Sequence, residues 1–295
     1  MGSSVEARPR GVPRRAGVAL VLVGGALVAW ILTYERMHGM DAGPGTDLGG
    51  LGWYLGIWVT MMAAMMLPSV APMVLTFARI SEDRHRRGAA VVPTWVFLAG
   101  YLLAWTIYGL IAYGVFRVLR WVVGGSLDWH GAGAWAAGAA LVAAASYQLT
   151  PLKQVCLRHC RGPLHFVLHG WRDGRLGALR MGIEHGAFCV GCCWGLMLAL
   201  FALGVMSLVW MAVIAALIVA EKLLPAGETF ARVFSLALAA TGIWVALAPA
   251  SVPGLVQPDS AAAQRARQRM MHMRPMTPRR MTPRPMQRTQ TGMTP

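Results

Sequence analysis

Residues 181–206, MGIEHGAFCVGCCWGLMLALFALGVM, constrain this chain more than any other stretch. The run exceeds the roughly 20 apolar residues that cross a bilayer core at about 1.5 Å per residue. Its first half nevertheless carries Glu184, His185, Cys189, Cys192 and Cys193. At 3.6 residues per turn, His185, Cys189 and Cys192 fall in one narrow arc with Cys193 at its edge. Cysteine alone packs as a small apolar residue, and Gly186, Gly191 and Gly195 suit close helix contact. Three thiols on one face, one turn after an imidazole, are what a thiophilic metal requires.

Several more apolar runs of this kind occur, which a soluble globular domain does not show. With 56% hydrophobic and 13% charged residues and a mean hydropathy of +0.51, the expected fold class is all-α. We expect a polytopic membrane protein with a bundle of about seven transmembrane helices. The expected spans are 16–34, 52–78, 91–118, 131–149, 181–206, 207–224 and 230–248. A break near 204–207 is needed, because one helix over 184–224 would be about 60 Å long, twice the bilayer core. The expected organisation is a disordered cytoplasmic lead over 1–15, a membrane domain over 16–248 and a disordered Met/Arg/Pro-rich tail over 249–295.

The net charge of +15 does not imply nucleic acid as a partner, since the basic residues are scattered through short loops rather than gathered on one face. They act as topology signals instead. With the N-terminus inside, the cytoplasmic segments hold sixteen Lys and Arg against three outside, the tail excluded. This predicts a multi-pass protein of a bacterial inner membrane with a cytoplasmic N-terminus and an outer tail. None of the five cysteines falls in an outer loop, so structural disulfides are not expected.

The second run, WVTMMAAMMLPSVAPMV, concentrates Met61, Met62, Met65, Met66 and Met73, and Pro68 and Pro72 should kink or loosen its helix. Methionine is adaptable packing, but its thioether is also a soft ligand that suits Cu(I). The connection 150–180 carries Cys156 and Cys160 four residues apart, a soft-metal clip at the cytoplasmic mouth. Glu221 and Lys222 are adjacent and do not face each other on a helix, so each needs a separate partner. Glu221 could approach Glu184 or His185. In the tail, Met270, Met271, His272 and Met273 either collect soft metal or have no chemical role.

The segments MMAAMMLPSVAPM, LKQVCLRHCRGPL, GIEHGAFCVGCCWGLM, WM and EKLLP together closely resemble a bacterial family of predicted metal-binding integral membrane proteins, some labelled copper chaperones. The resemblance spans about 52–248 and leaves the termini outside. It implies a polytopic metal-binding protein, with Cys156, Cys160, Cys189, Cys192, Cys193 and the methionines of the second run at motif positions.

These readings lead to a Cu(I) carrier with no enzyme activity of its own. Cys189, Cys192, Cys193 and His185 would form its tight site, Met62, Met65 and Met66 its exchanging ligands, and Cys156 with Cys160 a relay. Zn²⁺ also takes Cys and His, and the methionines tilt the choice to copper. The partners would be the lipid bilayer, the copper ion and a copper-requiring membrane or periplasmic protein. The alternative is a membrane thiol-disulfide oxidoreductase that uses Cys189 and Cys192 as a C-x-x-C with a quinone.

Overall fold

The computed structural model describes residues 14–44, 47–90, 92–123, 129–225 and 227–273. Ten α-helices follow one another among them: α1 (Arg14–Met37), α2 (Leu51–Arg86), α3 (Thr94–Val123), α4 (Ala134–Gln148), α5 (Pro151–Arg161), α6 (Pro163–His169), α7 (Gly174–Leu203), α8 (Leu208–Leu223), α9 (Gly227–Leu247) and α10 (Ala261–Met273). One wide π-helical turn, Trp129–Gly133, leads into α4. No strand occurs among the described residues. Five helices, α1, α2, α3, α7 and α9, are long and apolar enough to cross a membrane. Helices α4 and α8, where the fourth and sixth spans are expected, have 15 and 16 residues.

Helix α7 is the axis of the bundle and packs on α3, α4, α5 and α8. Glycine permits the closest of these contacts. A Cβ on Gly182 would strike the carbonyl oxygen of Phe97, and one on Gly100 would strike that of Leu179, so α3 and α7 touch backbone to backbone. The expected break after α7 is real. Gly204 ends the helix with φ +117°, a conformation open to glycine, and its N–H donates to the Leu200 carbonyl at 3.0 Å.

Helix α2 outruns its expected limit most, and a helix forms where the tail is expected to lack structure. Pro68 and Pro72 lie inside α2, which stays helical to Arg86 rather than ending near Ala78. The Glu82–Arg86 pair at 2.7 Å and the Ser81 hydroxyl, which donates to the Val92 carbonyl at 3.0 Å, hold its last turns. The tail expected to lack structure from 249 onward begins with a 3₁₀ turn, Pro249–Ser251, and then forms α10. Ser260 caps that helix by accepting from the Ala263 N–H at 3.2 Å, and the alanine run behind it favours helix. Ala263 and Ala266 pack with Ala42. The remainder of the tail and the lead over 1–13 lie outside the described residues.

The connections gather at two ends. At one, Trp129 Nε1 donates to Gln257 Oε1 at 2.7 Å, Trp210 Nε1 to the Gly254 carbonyl at 3.1 Å, and Tyr113 to the Gly49 carbonyl at 3.0 Å. Asp41, in the same cluster as Gly43 and Ser207, has its carboxyl pushed up by burial. At the other end Arg84 pairs with Asp173 at 3.3 Å, and Arg161 donates to the Leu224 carbonyl at 2.6 Å.

Candidate metal centre

The centre forms where α5 crosses α7. Thr150 caps α5 by accepting from the Lys153 N–H at 3.3 Å, and Pro151 fills its first turn. From there Cys160 reaches α7, and its Sγ lies 3.7 Å from Cys192 Sγ. The sulfurs of Cys160, Cys189 and Cys192 all lie within 4.8 Å of one another. An ion centred among three sulfurs at the usual metal–sulfur length of about 2.3 Å separates them by about 4 Å, so the observed triangle fits a three-coordinate soft ion. Cys193 Sγ lies 3.3 Å from Cys192 Sγ, at the edge of the triangle.

Around Cys189 the sequence alone missed three groups. The Lys222 ammonium donates to Cys189 Sγ at 3.0 Å and to Ser69 Oγ at 3.3 Å. The Tyr101 hydroxyl lies 3.1 Å from Cys189 Sγ, and Ser69 Oγ lies 4.0 Å from Met66 Sδ. Lys222 had a signal, a lysine at the end of an apolar run without an intrahelical carboxylate partner four residues away. Tyr101 and Ser69 had none, because each reaches the site from another helix.

The structure redistributes the remaining candidates. Cys160, expected in a separate relay, belongs to the central triangle, because α5 packs against α7 instead of remaining at the mouth. Cys156 stays outside it. A Cβ on Gly191 would lie 2.7 Å from Cys156 Sγ, so that thiol rests on the α7 backbone. His185 is buried between Phe97, Tyr101 and Phe166, with ring centroids at 6.1, 5.9 and 5.3 Å. Its Nδ1 has no hydrogen-bond partner among the described residues, and the sulfur triangle does not include it. Met62, Met65 and Met66 are buried in the core that encloses the cysteines, and of these Met66 meets the site through Ser69.

Glu221 approaches neither Glu184 nor His185. Glu184 stands at the surface with Arg172 and Arg180, both at 3.1 Å. Glu221 accepts from Lys153 Nζ at 2.7 and 2.8 Å, and Lys153 also donates to Gln148 Oε1. The physical reason is depth: two fully buried charges neutralise each other where water cannot. That pair ties α5 to α8 and thereby holds Cys160 over α7.

The copper chaperone family PpoB2 matches residues 55–245, most of the chain. The chain belongs to the PpoB2 copper chaperone family. All five cysteines, Met61 to Met73, Tyr101 and Lys222 lie inside the PpoB2 match, whereas α10 and the tail lie beyond it. No curated protein and no solved structure matches the chain. The family is described as copper chaperones, and the sulfur triangle is a cluster of soft donors that could hold a metal ion.

Proposed function

We propose that this protein is a multi-pass protein of a bacterial cytoplasmic membrane that binds Cu(I) through Cys160, Cys189 and Cys192 and passes it to a copper-requiring membrane or periplasmic protein. The observation that carries the proposal is the convergence of three sulfurs from two helices within 4.8 Å, inside the copper chaperone match. Cu(I) is soft, accepts low coordination and is held by thiolates in the absence of water. Cys193 stands next to the triangle as an exchange ligand, Met66 lies behind Ser69 and Lys222 as a further one, and His185 offers an unpartnered imidazole nitrogen one turn away.

Seven spans are supported by the way the connections segregate. Counting α4 and α8 with the five longer apolar helices, successive connections alternate between the two ends of the bundle. The excess of Lys and Arg on the Arg84, Arg161 and Arg172 end supports a cytoplasmic location for that end. The α10 end then faces outward.

Elemental analysis of protein purified under reducing conditions tests this reading. We expect copper in the Cu(I) state, lost in the Cys189→Ser, Cys192→Ser double variant. Zinc alone, with no copper uptake on titration, would overturn it. A metal-free protein that exchanges thiols and disulfides with a quinone would favour the oxidoreductase alternative instead.

A further inference from the structure

We propose that Lys222 is a specificity-determining residue whose ammonium makes the thiol site favour monovalent over divalent soft ions. The inference rests on the metal-binding reading of the sulfur triangle and adds a charge filter to it.

Thiolates by themselves do not separate Cu(I) from Zn²⁺, because both ions take sulfur. Charge separates them. Lys222 is 7% exposed, and its Nζ has Cys189 Sγ and Ser69 Oγ as partners among the described residues. No carboxylate there neutralises it. The adjacent Glu221 is engaged with Lys153, and Glu184 with Arg172 and Arg180. The ammonium therefore places a positive charge, offset by no carboxylate among the described residues, 3.0 Å from the sulfur that would bind the ion.

A dication feels this charge twice as strongly as a monocation. With Nζ at 3.0 Å from Cys189 Sγ, an ion on that sulfur lies roughly 5 Å from the ammonium, taking a metal–sulfur length of about 2.3 Å. In a partly screened interior the extra repulsion of the second charge amounts to roughly ten- to hundred-fold in relative affinity. At any given number of ionised thiols the second charge of a dication is repelled by the ammonium, so the sign is the same in each such state. Soft donors choose sulfur-loving ions, and the ammonium chooses among them by charge.

Ag(I) and Cd(II) isolate the effect, since both are thiophilic and redox-inert and they differ in charge. The affinity of each is measured by chelator competition on the full chain, reduced and in detergent, and the Ag(I)-over-Cd(II) ratio is compared. We expect Lys222→Met to lower the ratio at least about ten-fold and Lys222→Arg, which keeps a cation, to stay within about three-fold of wild type. Ser69→Asp reaches the same charge state without removing the lysine, by placing a carboxylate beside Nζ, and decides the matter if Lys222→Met does not fold. The wild type adds its own test: its ratio should exceed that of a trithiol peptide without a cation by about ten-fold. A ratio within about two-fold of wild type in a folded neutralising variant overturns the inference, as does a wild-type ratio no higher than the peptide's. Failure of the wild type to bind either ion would overturn the metal site itself, whereas binding of both with an unmoved ratio would overturn the charge filter alone.

Discussion

Two lysines are buried close to each other, and they do different work. Lys153 lies against Glu221 and Gln148, a closed ion pair whose net charge is zero. Lys222, the next residue after Glu221 on α8, lies against a thiol and a hydroxyl and keeps its charge unbalanced by any carboxylate among the described residues. Adjacent positions on a helix point about 100° apart, so α8 serves an architectural cluster on one side and the sulfur site on the other. A buried charge with its counter-ion supports a fold. A buried charge held against a thiol instead marks a candidate functional site.

The largest effect should come from opening the closed pair. Glu221→Ala leaves the Lys153 ammonium buried without a counter-charge, at a cost of about 3–5 kcal/mol, and replacing both residues by apolar ones should recover most of that loss. Thermal unfolding in detergent measures it. Lys222→Met strands no carboxylate and should unfold near the wild-type temperature. If Glu221→Ala unfolds no earlier than wild type, the clamp that holds α5 over α7 is not real.

Next in size is the contrast between the two cysteines of α5. Cys160→Ser removes a corner of the triangle and should weaken Cu(I) binding by roughly two orders of magnitude or more, beyond what loss of an outer partner brings. Cys156→Ser should leave affinity within a few-fold of wild type. Equal losses in competition titrations would return both residues to a shared relay at the mouth.

A smaller loss than that of Cys160→Ser is expected at Tyr101. Tyr101→Phe deletes one hydrogen bond to Cys189 Sγ and keeps the ring in the α3–α7 contact, so Cu(I) affinity should fall about ten-fold while the unfolding temperature holds. A drop in stability with unchanged affinity would make Tyr101 packing alone.

Much of the fold was legible along the chain. The apolar runs marked the long helices, and the length limit on a single helix required the break that Gly204 supplies. The cysteine face of α7 followed from helical period, and Cys189 and Cys192 share the site as that period places them. The end of α2 was not legible, because the apolar run stops near Ala78 whereas the helix continues through polar residues that a late ion pair helps to hold. Cys160 was misplaced for a related reason. Spacing pairs it with Cys156, but its own helix turns the two thiols onto different parts of α7.

The sequence by itself determined the all-helical class, the apolar segments, the basic asymmetry of the loops and a cysteine-bearing face suited to a soft metal. These are local properties, fixed by composition and by period along one stretch of chain. The tertiary structure alone decided which donors meet: Cys160 with Cys189 and Cys192, and Lys222, Ser69 and Tyr101 around Cys189. It also decided that Glu221 would neutralise Lys153, which leaves Lys222 against Cys189 and Ser69 with no carboxylate partner among the described residues. The physical reason is that side chains brought together from α2, α3, α5, α7 and α8 share no spacing rule, and packing between helices alone sets the distances at which their charges and sulfurs act.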